Sequence, residues 1–132
     1  MAIINDKPTL LALAGQDYAV EDEGKLVTVS AYCRGDALPG DKGNGTTGVL
    51  ITVGDAGQHV HVALPNTAAI VELRAAPTPG DVKPGSALTV DAGGAFKLAA
   101  AGNKIYAVAL EKPAEGGCLF NGYLVAPVAA KA

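Results

Sequence analysis

Almost the whole chain is divided into short runs rich in Val, Ile, Thr and Tyr, separated by Gly, Pro, Asn and Asp, and stretches with a helical period are nearly absent. Runs of this length bounded by turn formers suit strands and are too short for stable helices. The predicted strands cover 9–14, 25–33, 48–53, 58–64, 69–74, 86–91, 94–99, 104–110 and 118–126. The fold class that follows is mainly β. A length of 132 residues allows one domain with its own core and is too short for two ordinary ones.

Within KLVTVSAYC at 25–33, Val27, Val29, Ala31 and Cys33 fall on one face and Leu26, Thr28, Ser30 and Tyr32 on the other, because side chains alternate along a strand. On this reading Cys33 is a small buried hydrophobe. The breaks EDEG at 21–24, RGDALPGDKGNGTTG at 34–48, GDAG at 54–57 and APTPGDVKPG at 76–85 are predicted connections, the two longer ones reaching outward. Pro77, Pro79 and Pro84 keep 76–85 extended and stiff.

The hydrophobic share of 49% is made largely of alanine, with Trp absent and only 4 Tyr and 2 Phe. Burying a methyl group removes little apolar surface, and 17 glycines raise the entropy lost on ordering, so the core is expected to be thin and to gain from contact with further copies or a partner. A formal net charge of −3 with scattered basic residues argues against nucleic-acid binding. No apolar run approaches the ~20 residues of a membrane helix. MAIINDKPT lacks the charged and apolar regions of a secretory signal, so the expectation is a soluble chain made in a cytoplasm. Cys33 and Cys118 have no C-x-x-C spacing and are expected to be free thiols.

Candidate chemical motifs fail on context. GNGTTG at 43–48 fits G-x-G-x-x-G, but a loop precedes it and a strand follows, whereas a dinucleotide site needs a helix whose amino terminus meets the pyrophosphate. The overlapping GDKGNGTT has Thr46 where a phosphate loop requires Lys. His59 and His61 share one strand face, yet only Asp55 is near in sequence as a further ligand, and Val60, Val62 and Leu64 mark the opposite face as core-facing. They read as surface or interface histidines, which at a subunit contact could make assembly sensitive to mildly acidic pH. Ser30 and Ser86 lack a nucleophile elbow. Glu21, Asp22 and Glu23 lack a Ca²⁺-loop spacing and read as a solvated tip, and RGD at 34–36 reads as a chance match in a turn. No catalytic, metal or cofactor residue is assigned, and no enzyme is expected.

GDVKPGSALTVDAGGAFKL at 80–98 is similar in wording to biotinyl and lipoyl carriers, but its hairpin tip lacks the modified lysine; Lys97 comes only after the glycines. The order Gly85 to Val90, Asp91 to Gly94, Ala99 to Gly102, Ile105 to Leu110 and Gly116 to Val125 resembles the carboxy-terminal half of tailed-phage capsid decoration, or cement, proteins, with a weaker echo in GVLITVGDAGQHVHVAL at 48–64. The resemblance implies a small β-barrel or β-tulip domain with extended terminal arms, without cofactors and not enzymatic. It also implies a place on the outer surface of a virion, bound to the major capsid protein, as a homo-oligomer with a trimer favoured. The corresponding division is an arm and first strand at 1–14, a β domain at 15–126 and a tail at 127–132. Ile3, Ile4, Leu10 and Leu11, with Pro8 holding the segment extended, are the expected contacts to capsid or a sister subunit. The alternatives are a β-sandwich adhesion or head-fibre module binding host-surface glycans and, after it, a small-molecule-binding barrel.

Overall fold

In a computed structural model of the chain, residues 9–30, 36–65 and 70–129 are described. They form ten strands and one 3₁₀ turn at Val20–Asp22. The strands are β1 (Thr9–Ala14), β2 (Leu26–Val29), β3 (Asp36–Pro39), β4 (Thr46–Leu50), β5 (His59–Ala63), β6 (Val71–Arg74), β7 (Ala87–Val90), β8 (Phe96–Leu98), β9 (Lys104–Ala109) and β10 (Leu119–Ala129). The first five close into a barrel in the order β1-β3-β2-β4-β5, and the last five form a sheet in the order β6-β10-β9-β7-β8. The domain is therefore mainly β, as the turn spacing predicts, and contains a closed barrel.

Barrel diameter grows with strand number, so five strands leave a narrow interior. It is filled by Ala12, Ala14, Val27, Val29, Ala37, Leu50, Val60 and Val62, with Tyr18. Ala14 and Ala37 face each other where β1 and β3 run parallel, and both are almost wholly buried. The alanine content thus has a steric reason at these positions, where facing strands leave room for a methyl group. Tyr18 adds the one large ring, and its hydroxyl donates to the Ala37 carbonyl at 2.5 Å. Burial, with the Asp22 charge nearby, pushes the Tyr18 phenol above its ordinary pKa.

A second core is shared between the barrel and the other sheet. Leu26, Val49 and Ala63 are cross-strand neighbours on the outer face of the barrel, and they pack with Val71, Leu73, Leu88, Phe96, Tyr106, Phe120 and Leu124. All four residues of β2 are consequently buried. Val27 and Val29 point into the barrel and Leu26 into the shared core, while buried Thr28 donates its hydroxyl to the Gly40 carbonyl and accepts from Lys42 N–H. The two faces expected at 25–33 are present over Leu26–Val29; Ala31, Tyr32 and Cys33 lie outside the described residues.

The two lobes also meet through the main chain. Arg74 N–H donates to Gly24 O and Leu26 N–H to Gly94 O. The hairpin of 80–98 reaches this joint because the Asp91 carboxylate accepts from Gly93 and Ala95 N–H and so shapes the tip. Gly94 has φ +92 and is buried, and a Cβ there would collide with the Leu26 carbonyl. The tip that carrier proteins would present to solvent is here built into the fold. The edges of the second sheet meet as well, through a bridge between Ala75 and Phe96.

Two expectations need correction. The segment 34–48, read as one outward loop, contains β3 and the start of β4. Asp36, Ala37 and Pro39 are poor strand formers, and β3 is held by long-range pairing with β1 and β2 rather than by its own propensity. The connector 76–85 is neither extended nor outward throughout: it bends at Pro77, Thr78 and Asp81 and turns at Pro84 and Gly85, Ala76 N–H donates to Phe96 O and Leu98 N–H to Pro79 O, and Val82 is buried in the shared core.

Ala37→Leu should overfill the barrel and lower stability by about 1–3 kcal/mol or prevent folding. Ala101→Leu, at an exposed turn, should change it by no more than about 0.5 kcal/mol. Urea unfolding of both variants checks the difference.

Candidate functional site

The expected contact residues begin at the barrel strand β1. Its alternation separates two residues that the sequence reading groups together: Leu10 packs against the barrel core, while Leu11 and Leu13 lie on the outer face, each partly buried. Ile3, Ile4 and Pro8 lie outside the described residues. Leu11 stands opposite His61 and Leu13 opposite His59 in the β1–β5 ladder. Both imidazoles are exposed, Val60 and Val62 point inward, and Thr9 Oγ1 lies 3.4 Å from His61 Nδ1. On the other side of β1, partly buried Leu38 of β3 covers Gly15, where a Cβ would clash with its side chain. The result is a short outer strip of Leu11 and Leu13, bordered by His59 and His61 on β5 and by exposed Asp36, opposite Leu13, on β3, where the chain enters the barrel at Thr9. The sequence shows Leu11 and the histidine pair separately; their adjacency follows only from closure of β1 against β5.

Several polar residues elsewhere are engaged in holding loops. Arg74 donates from Nε, Nη1 and Nη2 to the carbonyls of Glu23, Gly117 and Val20, tying the 3₁₀ turn to the second sheet. Asp22 accepts from Ala19 N–H and pairs with Lys25 at 2.9 Å. Partial burial pushes the Asp22 carboxyl up, but the Lys25 and Ala19 hydrogen bonds and the charges of Lys25 and Arg74 outweigh it and hold its pKa below the usual value. Within the supposed acidic tip, Asp22 is therefore a half-buried structural group. A cleft of about 350 Å³ beside Arg74 and Lys25 also meets Glu21 and Asp91, so its charges are mixed.

A groove of about 470 Å³ runs between the ends of β4 and β5 and the last part of β10, lined in part by Thr46, Thr47, Leu64, Pro65 and Pro127. At one end Asp41 accepts from Tyr106 Oη at 2.5 Å and from Gly43 N–H at 2.9 Å, with Lys104 Nζ at 3.4 Å. The Tyr106 hydrogen bond is the main cause that lowers the Asp41 pKa, aided by Gly43 and Lys104 against a smaller effect of burial. Burial and the Asp41 carboxylate push the Tyr106 phenol up. This group fastens the loop after β3 to β9 across the two lobes.

The glycine motif at 43–48 forms a bend at 43–45 followed by β4, without the following helix that a dinucleotide would use. Ser86 Oγ accepts from Lys83 N–H in a turn, and Cys118 is a free, half-buried thiol 3.7 Å from Glu115 Oε1. Among the described residues no three His, Cys, Asp or Glu side chains cluster as metal ligands. What the arrangement offers is surface: one apolar strip with imidazoles at its border, and one groove closed at an end by a charged tie. Comparison of the sequence with protein-family models and with curated proteins finds no match.

The Asp41 tie has a pH consequence. Because its folded pKa is depressed, its contribution is present above the unfolded carboxylate pKa of about 3.9 and is lost as pH falls through the folded value. Tyr106→Phe should destabilise the protein by about 1 kcal/mol at neutral pH and flatten the loss of stability on acidification. Denaturant midpoints measured from neutral to acid pH for Tyr106→Phe, Asp41→Asn and the double variant should be non-additive; additive losses would mean that the two groups act separately.

Proposed function

We propose that this chain is a structural virion protein that binds the outer surface of a phage capsid and stabilises the major-capsid lattice by bridging neighbouring subunits. The reading rests on the ordered resemblance over Gly85 to Val125, and its carrying structural observation is the outer strip of Leu11 and Leu13 on β1, which follows residues 1–8 in sequence. A protein of this kind works by contact area, not by covalent chemistry. The barrel supplies a rigid strand and the strip supplies apolar surface, and Ile3, Ile4 and Pro8, earlier in the sequence, are the proposed further contacts to capsid or a sister subunit. The oligomer proposed is a trimer.

Stabilisation follows from linkage. A protein that binds only the assembled lattice shifts the equilibrium against disruption, and many modest contacts act together over one shell. Bridging requires the subunit spacing of the expanded lattice. Contacts that are mainly apolar should persist at moderate salt, because screening weakens exposed charge pairs and not apolar burial.

Purified protein added to undecorated heads should bind expanded heads saturably, bind unexpanded precursors poorly, and raise the temperature of genome release. Deleting residues 2–8, or introducing Leu11→Glu, should reduce the bound copies with little change in the melting temperature of the free protein. Absence of head binding, or unchanged head stability together with preferential binding to cell-surface glycans, would replace the reading with an adhesion module.

A further inference from the structure

The chain contains two Asn-Gly pairs, Asn44–Gly45 and Asn121–Gly122, in opposite structural settings. Asn44 and Gly45 are both exposed and lie in the bend that precedes β4. Among the described residues, neither the Asn44 side chain nor the Gly45 N–H takes part in a ladder or turn hydrogen bond; the side-chain restraint on this bend comes from Asp41, which holds Gly43 N–H one residue earlier. The backbone of Gly45 passes so close to the Val29 carbonyl that a Cβ would collide with it, so glycine is required there. That same lack of a Cβ leaves its nitrogen open to the side chain of Asn44.

Gly122, in contrast, is buried and sits between two ladders, opposite Val71 of β6 and Ala109 of β9. Asn121 N–H donates to Glu111 Oε2, and Asn121 O accepts from Leu110 N–H. The main chain there is held extended on both sides.

We propose that Asn44 is a site of spontaneous deamidation in the folded protein and that Asn121 is protected by the sheet. Hydroxide removes the Gly45 amide proton, and the nitrogen attacks Cγ of Asn44. The new N–Cγ bond forms as the Cγ–Nδ2 bond breaks, and the side-chain nitrogen leaves as ammonia after taking up a proton from water. The five-membered succinimide then adds water at either carbonyl. Opening one C–N bond leaves an aspartate at position 44, and opening the other leaves an isoaspartate whose main chain runs through the side-chain carboxyl. No oxidant or reductant takes part, and the only co-reactants are hydroxide and water.

The product makes the chain one unit more negative than its formal −3 and places the new carboxylate on the loop that carries Asp41, beside the groove that Lys104 lines. The isoaspartyl product also adds a backbone atom between the Asp41–Tyr106 tie and β4. Formation of the product is therefore a slow, irreversible change at one end of the groove, separate from any binding at the β1 strip.

The test is incubation of the full chain at mildly alkaline pH, followed by peptide mapping with mass spectrometry. The folded protein should gain the amide-to-acid mass change at Asn44, with a rate that rises in proportion to hydroxide and with two chromatographically distinct acidic isomers, while Asn121 stays intact. In denaturant both sites should react at similar rates, because the sheet no longer restrains Gly122. Asn44→Gln should abolish the change in the folded protein. Equal rates at the two sites in the folded state, or an unreactive Asn44 there, would overturn the proposal.

Discussion

The contact on which the rest of the structure depends is made by three consecutive residues, Gly24, Lys25 and Leu26. Gly24 gives its N–H to Leu50 of the barrel and receives Arg74 N–H from the second sheet; Leu26 gives its N–H to Gly94 and receives Gly40 N–H. Lys25 holds Asp22 at 2.9 Å and accepts Leu50 N–H on its carbonyl. A barrel this narrow buries little, and the second sheet, even with its edges bridged at Ala75 and Phe96, has an apolar face to cover. Joining them at Gly24–Leu26 resolves both problems, because Leu26, Val49 and Ala63 complete the core that the second sheet lacks. Buried main-chain groups at such a joint need partners, and the glycines at 24, 40 and 94 allow the close approach that provides them.

This arrangement also accounts for what the surface can offer. Three barrel strands turn outward-facing residues into the shared core, so the β1 side and its neighbours in β3 and β5 remain as the free outer face. Leu11 and Leu13 are left partly buried there, outside both cores, beside the exposed histidines of β5 and exposed Asp36 of β3. The charged groups that might have formed a polar pocket instead stitch loops: Arg74 to carbonyls, Asp22 to Lys25 and Ala19, and Asp41 to Tyr106. The proposed role in capsid decoration draws on the face that the core does not consume.

The strands themselves were legible wherever alternation and turn chemistry agree. His59–Ala63 reads directly as exposed histidines against buried valines, and Thr9–Ala14 is found at the expected boundaries. β3 was not legible, because DALP has no β-branched residue and its pairing partners are far away in sequence. Neither was the function of the DAGGA hairpin: local residues specify its tight turn, but nothing local says that its tip meets Leu26. The outer strip was half legible, since Leu11 is visible as an apolar residue near the amino terminus while its separation from Leu10 and its position beside His61 require the closed barrel. Tyr106 as the partner of Asp41 has no sequence signal, because 65 positions separate them.

The central claim is that barrel and sheet form one cooperative unit through Gly24–Leu26. Native-state hydrogen exchange measures it directly, because each amide reports the free energy of the opening that exposes it. The account predicts that the amides of Leu26, Arg74 and Val62 exchange only through global unfolding, with one common free energy and one common denaturant dependence. Exchange of Arg74 and the β6–β10 amides at a distinctly lower free energy, while β4 and β5 stay protected, would show that the second sheet opens by itself and would contradict the account.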